Sequence, residues 1–311
     1  METILLLGAN GQVGFELRRT LAPLGALVAA TRSGEILPGA PCERADLVDA
    51  AALAALLERV RPGLIVNAAA YTAVDRAETE PALAARVNGE AVGEIGRWAA
   101  ANDAAVLHYS TDYVFAGDAD RAYAENDTVA PLGSYGRSKL AGDQALAASG
   151  AAHLILRTAW VYAARGHNFL RSMLRLAAER DELRVVADQV GSPTPAALIA
   201  EVSAQLLARW LPLEAAERHA RGGVYHLTSN GHTSWCDFAR AIVAGASARG
   251  LLARTPPVTA ISSAEYPTPA RRPAWSVLDC RRLQTCFGVH LPDWQDGLAT
   301  TLTDMQASSG C

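Results

Sequence analysis

The sequence has very little lysine, no long apolar run and no excess of positive charge. Of its 28 basic residues, 27 are arginine and one, Lys139, is lysine. The formal net charge of −4 argues against a nucleic-acid partner, because such domains carry a strong basic excess. No apolar stretch approaches the roughly 18 residues of a membrane span, and the first residues lack the basic segment of a signal peptide. We therefore expect no nucleic acid, no membrane and a cytoplasmic location.

Cysteine and histidine patterns of metal sites are also missing. The five cysteines form no CxxC pair, and the seven histidines form no HExxH motif. Reduced thiols and no catalytic metal are the simplest expectation. Half of the 311 residues are hydrophobic and 19% are charged, which is typical of a soluble globular chain with a substantial core.

Apolar strand-like runs alternate with alanine-rich amphipathic stretches through the first half of the chain. This alternation predicts βαβ units around a Rossmann-type, doubly wound parallel sheet. We expect the dinucleotide-binding domain over residues 1–162 and a smaller C-terminal α/β lobe for substrate over 163–311, from which later segments could return to the first domain. Predicted strands are Thr3–Leu7, Ala26–Thr31, Leu64–Asn67, Ala105–Ser110 and His153–Thr158; predicted helices include Gln12–Ala22, Ala50–Arg59, Pro81–Asn102 and Ser138–Ser149.

A glycine-rich segment follows the first predicted strand and opens the first helix. Its spacing is GxxGxxG over residues 8–14. Glycines allow a tight turn and bring the backbone close to a pyrophosphate, which binds at the positive end of the helix. The alternative is a glycine-rich turn without a ligand. We predict cofactor contacts at Gly8, Asn10, Gly11, Gln12, Val13 and Gly14.

The end of the second strand carries information on cofactor preference. An acidic residue there binds the ribose of NAD, whereas an arginine suits the extra phosphate of NADP. The chain has Arg32 and no acid at this place, which favours NADPH and leaves use of NADH open. Asp46 and Leu47 are candidates to flank the adenine, although Asp46 could instead cap a helix that starts near Val48.

Tyr135 and Lys139 are four residues apart at the start of a predicted helix. This spacing places the phenol and the ammonium on one face. A nearby cation stabilises the phenolate and lowers the pKa of the phenol from roughly 10 toward neutrality. In a chain that uses arginine almost everywhere, the one lysine indicates a position that a guanidinium does not suit. The alternative is a lysine that survives by chance in a surface Tyr/Lys pair.

These features together resemble the extended short-chain dehydrogenase/reductase superfamily. The glycine loop, Asn67–Ala70, Thr111 and the YxxxK pair occur in the order of that superfamily. The resemblance implies that Tyr135 donates the proton and that Thr111 binds the carbonyl oxygen. It also implies that Lys139 holds the nicotinamide ribose and that Ala68, Ala69 and Ala70 contact the cofactor.

Across residues 3–300 the chain resembles one family within that superfamily, the dTDP-4-dehydrorhamnose reductases. The matching segments are Tyr71–Glu78, Ser110–Phe115, Arg157–Tyr162, Asp188–Thr194, Tyr266–Pro273 and Leu291–Trp294. The resemblance implies NADPH-dependent reduction of the C4 keto group of a dTDP-sugar, in the last step of dTDP-rhamnose synthesis for cell-surface polysaccharide. It implies that Thr111, Asp112 and Trp160 contact the sugar and that Arg271 or Arg272 meet its pyrophosphate. The alternatives are that Trp160 belongs to the hydrophobic core and that Arg271 and Arg272 are a solvated basic pair.

Two positions depart from the family pattern. Asp304 stands where some members use a glutamate to bind magnesium at a subunit contact, so a homodimer with such an ion stays open. Trp275 replaces a smaller polar residue. Two other functions remain: a different nucleotide-sugar reductase or epimerase of the superfamily, and a non-catalytic regulatory subunit.

Overall fold

A computed structural model describes residues 3–309 of the chain. The strands, in chain order, are β1 (Thr3–Leu7), β2 (Ala26–Thr31), β3 (Glu35–Leu37), β4 (Ala40–Pro41), β5 (Glu43–Arg44), β6 (Leu64–Asn67), β7 (Ala105–Thr111), β8 (His153–Thr158), β9 (Val161–Tyr162), β10 (Leu183–Val186), β11 (Val190–Gly191), β12 (Thr194–Pro195), β13 (Gly223–His226), β14 (Thr233–Ser234) and β15 (Val258–Ile261).

The helices lie between these strands and at the C-terminal end. They are α1 (Gln12–Leu21), α2 (Ala50–Val60), α3 (Pro81–Ala85), α4 (Ala91–Ala101), α5 (Ser134–Ala147), α6 (Phe169–Glu179), α7 (Ala196–Trp210), α8 (Ala215–Ala220), α9 (Trp235–Ala248), α10 (Arg281–Phe287) and α11 (Trp294–Ser309). Short 3₁₀ turns occur at Arg76–Glu78, Asp112–Val114 and Ser263–Glu265.

The main sheet confirms the predicted fold class. Within the described residues it has seven parallel strands in the order β13-β8-β7-β6-β1-β2-β5. Its central strands are buried along their whole length, as expected for parallel strands covered by helices on both faces. One face packs on α1 and α7, and the other on α2, α4 and α5.

Segments on the C-terminal side of the predicted domain boundary at residue 162 return to the nucleotide-binding half. Helix α7 contributes Ile199, Leu206 and Trp210 to the core of the nucleotide-binding half, and β13 pairs with β8 at the edge of the main sheet. A separate apolar core joins α6, α9 and α11 beneath the C-terminal lobe. The second half of the chain therefore contributes to both cores.

Two predicted helices differ from the observed ones because of distant contacts. The stretch Pro81–Asn102, predicted to contain a long helix, is interrupted by a π-helical turn at Arg86–Glu90, where Asn88 bonds the backbone of Tyr71. Helix α5 begins at Ser134, four residues before the predicted start, because the carboxylate of Glu78 accepts a bond from the Ser134 N–H at 2.7 Å.

The structure gives findings on thiols and on membrane-spanning helices for the described residues. Cys42, Cys236, Cys280 and Cys286 are free cysteines, and Cys311 lies outside the described part of the chain. No helix within residues 3–309 combines the length and apolar character that a membrane crossing requires.

Candidate active site

The glycine loop brings two backbone segments into contact at the end of β1. Gly8 has a φ of +78°, and a Cβ there would lie 2.7 Å from the Ala69 nitrogen. A Cβ on Gly14 would lie 2.1 Å from the Gly8 carbonyl oxygen. Only glycine fits both places. The loop therefore leaves the N-terminal end of α1 open to an anion.

A cleft of about 740 Å³ opens at this end of the sheet, within the usual range for a small-molecule site. Every predicted cofactor residue except Gly14 lines the cleft: Gly8, Asn10, Gly11, Gln12, Val13, Arg32, Asp46, Leu47, Ala68, Ala69, Ala70, Tyr135 and Lys139. Gly14 packs behind the loop instead. The lining therefore runs from the glycine loop before α1 to the Tyr135 phenol.

Arg32 and Ser33 line the cleft directly after β2. Both are exposed, and the turn that carries them is held by the buried hydroxyl of Thr31, which accepts from the N–H groups of Gly34 and Glu35 at 3.0 and 3.1 Å. A guanidinium in this place suits an added phosphate on the ribose.

Asp46 lines the cleft and also makes a local turn. Its carboxylate accepts a bond from the Val48 N–H at 3.1 Å. The N-cap of α2 is Asp49, whose side chain accepts from Ala52 at 3.0 Å. Asp46 therefore does not cap the helix, which corrects that alternative.

Tyr135 lies in the first turn of α5, half-buried in the wall of the cleft. Its ring packs edge-on against Tyr113 with centroids 5.6 Å apart. Burial raises the pKa of Tyr135, while a hydrogen bond with Thr111 lowers it. The net shift is upward, which corrects the expectation that the neighbouring cation brings this pKa toward neutrality. The phenol is therefore protonated before any cofactor binds, which is the state that a proton donor requires.

Lys139 is 2% exposed and lies one turn after Tyr135. Its Nζ donates to the Tyr109 carbonyl oxygen at 2.6 Å and lies 3.2 Å from His108 Nε2. Burial lowers the pKa of Lys139 to about 8, against an opposing attraction from Asp143. The amine therefore changes charge close to neutral pH.

A buried ion pair lies behind the lysine. Arg157 Nε is 3.3 Å from Asp143 Oδ2, which also accepts from Ser110 Oγ at 2.8 Å. Both charged side chains are at most 5% exposed. Burial raises the pKa of Asp143, and the Arg157 guanidinium lowers it. The pair links α5 to the ends of β7 and β8 beneath the cleft.

Thr111 and Asp112 stand next to the phenol but do not line the cofactor cleft. Both are buried. The Thr111 hydroxyl donates to Asp112 Oδ1 at 3.1 Å and accepts from the Tyr113 N–H at 3.2 Å. Burial raises the pKa of Asp112 to about 6. The predicted contact of these two residues with a sugar stays a prediction.

Trp160 lies in an aromatic stack instead of an open wall. Its ring is 3.4 Å from that of Trp235 at an angle of 3°, and Gly191 packs against the same indole. Its φ of +48° is costly for a bulky residue and is characteristic of functional sites. The predicted role in substrate binding is not tested by this arrangement.

Arg271 and Arg272, both in the segment Tyr266–Pro273, differ in their surroundings. Arg272 pairs with Asp75 at 2.8 Å and lies 3.4 Å from the Tyr113 hydroxyl, whereas Arg271 is exposed. Trp275 donates from its indole to the Arg121 carbonyl oxygen at 2.8 Å. Arg272 therefore joins the C-terminal lobe to the loop after β6.

Several residues around the cleft were not assigned to the site from the sequence. Asn67, His108, Asp143 and Arg157 are buried around Lys139, and Tyr71, Thr72, Thr158, Val161 and His167 line the cleft. A usable signal existed for two of them, since Asn67 and His108 are polar residues inside otherwise apolar strands.

The sheet, the glycine loop and the Tyr135–Lys139 pair define an oxidoreductase of the extended short-chain dehydrogenase/reductase class. The family model described as the RmlD substrate binding domain matches residues 1–307. The chain belongs to this family, the dTDP-4-dehydrorhamnose reductases.

Similar proteins span nearly the whole chain. A dTDP-4-dehydrorhamnose reductase of Burkholderia thailandensis is 47% identical over 97% of this chain and 98% of its own. The enzyme of that name from Escherichia coli K12 is 43% identical over 97% of each chain. A crystal structure of dTDP-4-dehydrorhamnose reductase from Bacillus anthracis in complex with NADP has a TM-score of 0.85, with 30% identity over 97% of this chain and 99% of its own.

Proposed function

We propose that this chain reduces the C4 keto group of dTDP-4-dehydro-L-rhamnose to give dTDP-L-rhamnose, with NADPH as reductant. The observation that carries the proposal is the position of Tyr135 and Lys139 in the wall of the cleft that the glycine loop also lines, in a chain 47% identical to a dTDP-4-dehydrorhamnose reductase. This reaction is the last step of dTDP-rhamnose synthesis for cell-surface polysaccharide. We propose that it takes place in the cytoplasm.

When bound, the nicotinamide supplies the hydride that reaches C4 of the sugar. Tyr135 gives the phenolic proton to the oxygen that becomes the new hydroxyl, and the Thr111 hydroxyl beside it orients that oxygen. Lys139 holds the nicotinamide ribose and returns a proton toward Tyr135. An amine with a pKa of about 8 can do so near neutral pH.

The remaining site residues have roles at the two ends of the cleft. Arg32 selects the phosphate of NADPH, and residues 8–14 bind the pyrophosphate of the cofactor. Asp112 and Trp160 contact the sugar, and Arg271 or Arg272 meet the pyrophosphate of the substrate. A homodimer is part of this proposal. A magnesium ion at Asp304 is not part of it.

A spectrophotometric assay with enzymatically generated dTDP-4-dehydro-L-rhamnose, run with NADPH and NADH in parallel, tests the proposal. We expect stoichiometric oxidation of NADPH and a loss of at least roughly two orders of magnitude in turnover for Tyr135→Phe, with cofactor binding retained because the ring remains. Tyr225→Phe is the matched control, since that phenol donates to the Arg221 carbonyl oxygen in the distant β13 region.

Three outcomes would contradict the proposal in different ways. Near-normal turnover of Tyr135→Phe would assign the proton to another donor. Interconversion of nucleotide sugars without net consumption of NADPH would indicate an epimerase. Cofactor binding without any reduction would favour a regulatory subunit.

A further inference from the structure

Three buried polar side chains form a row under the cleft. Asn67 ends β6, His108 is its register partner on β7, and Lys139 faces them from α5. Their exposed fractions are 1%, 0% and 2%. Neither the asparagine nor the histidine has a part in the reaction steps above. Buried polar groups need their hydrogen bonds made, so the direction of each bond in this row can be worked out.

The orientation of the Asn67 amide determines where the histidine carries its hydrogen. The Ala69 N–H donates to Asn67 Oδ1 at 3.2 Å, so the oxygen side of the amide is assigned. The Asn67 nitrogen then faces His108 Nδ1 at 3.1 Å and donates to it. A nitrogen that accepts carries no hydrogen, and burial lowers the pKa of His108 well below 6.5, so the ring is neutral. Its single hydrogen is therefore on Nε2.

That hydrogen points at Lys139. His108 Nε2 and Lys139 Nζ are 3.2 Å apart, and an ammonium has no lone pair to accept with. A neutral amine satisfies both contacts, because it donates to the Tyr109 carbonyl oxygen at 2.6 Å and accepts from the imidazole. We propose that His108 is a positioning residue that donates its Nε2 hydrogen to Lys139, fixing the side chain and favouring the neutral amine.

Charged and titratable groups around the Lys139 amine both raise and lower its pKa. Asp143, on the same helix, attracts the ammonium, and Arg157 on β8 offsets it by pairing with Asp143. Tyr135 lies one turn earlier on α5, and Asp112 follows β7. His108 adds a donor on the side of the amine that faces β7. If the proposed function holds, Lys139 can then accept a proton and pass it on near working pH.

The single lysine of the chain makes a direct test simple. Protein labelled with [13Cε]lysine has one lysine resonance, whose shift with pH reports the pKa of Lys139 without substrate or cofactor. We expect His108→Phe to raise that pKa by about one unit, since the neutral amine loses a hydrogen bond worth roughly 1 kcal/mol. If instead the ammonium donates to the histidine, the same change lowers the pKa. An unchanged or lowered pKa would overturn the proposal.

A matched control separates this effect from a loosened strand. Ser203→Ala removes the 2.7 Å contact between the Ser203 hydroxyl on α7 and the hydroxyl of Tyr109. Tyr109 follows His108 on β7, and the change leaves His108 and Lys139 intact. It should leave the lysine titration unchanged. An equal rise in both variants would assign the effect to β7 packing and reject the proposal.

The histidine can also be read in the unmodified chain, which covers the case that His108→Phe does not fold. Imidazole 15N shifts distinguish a protonated Nε2 from a protonated Nδ1. We expect the Nε2–H form for His108, and the Nδ1–H form or an imidazolium would refute the proposal. Neither measurement depends on turnover, so failure of the proposed reaction would not be confused with failure of this inference.

Discussion

Asp112 makes folding stability depend on pH in a way that the structure allows us to calculate. Burial raises the pKa of this carboxyl from its ordinary 3.8 to about 6, against bonds from Ser276 and Thr111 that lower it. A folded-state pKa above the unfolded one means that the folded chain binds more protons between these values. The contribution of Asp112 to stability is therefore present below pH 3.8 and is lost as the pH rises through 6. A shift of about two units corresponds to about 3 kcal/mol.

Urea denaturation of the wild type and Asp112→Asn between pH 4 and 7.5 measures this contribution. Asparagine does not titrate, so the stability of the variant relative to the wild type should rise by about 2–3 kcal/mol over that range. Asp181→Asn is the control, since that side chain is fully exposed and its pair contributes little. A difference between Asp112→Asn and the wild type that is constant with pH, or that falls, would refute a buried acid with a raised pKa.

Two further changes test packing beneath the site. Gly14→Ala places a Cβ 2.1 Å from the Gly8 carbonyl oxygen, so NADPH affinity by calorimetry should fall at least tenfold, or about 1.4 kcal/mol; Gly11→Ala, at 3.3 Å from the same oxygen, should lose less, and an equal loss would contradict the steric reason. Arg157→Met leaves Asp143 buried without its cation, so urea denaturation should show a loss of about 3–5 kcal/mol. Adding Asp143→Leu should recover most of that loss, and no recovery would show that the unpaired charge is not the cause.

Patterns that act over a few residues predicted the fold well. The bounds predicted for Thr3–Leu7, Leu64–Asn67 and His153–Thr158 are those observed, because a buried parallel strand needs an uninterrupted apolar run that turn residues end. The predicted start of α5, Ser138, lies four residues after the observed start at Ser134. Its N-terminus depends on Glu78, 56 residues away in the chain, and local propensity contains no information on such a partner.

The candidate site divides in the same way. The glycine loop and the Tyr135–Lys139 pair are patterns within a few residues of sequence, so their spacing alone predicts them. Residues of both line one cleft. The Asn67–His108 contact depends on the register between β6 and β7, which only the folded sheet determines. Trp160 was expected beside the substrate from a family motif. Its stack with Trp235, 75 residues later in the chain, could not be seen from that motif.

The unusual composition of the chain has a structural explanation at its one lysine. Arginines elsewhere are mostly exposed, and the buried Arg157 contacts Asp143 through Nε and lies over the Phe115 ring at 5.3 Å. Lys139 occupies a different kind of place: a single nitrogen between a carbonyl oxygen at 2.6 Å and an imidazole at 3.2 Å. A guanidinium would bring three nitrogens into that space and could not give up its charge. The proton exchange proposed next to Tyr135 requires a compact group that can become neutral, which a lysine provides and an arginine does not.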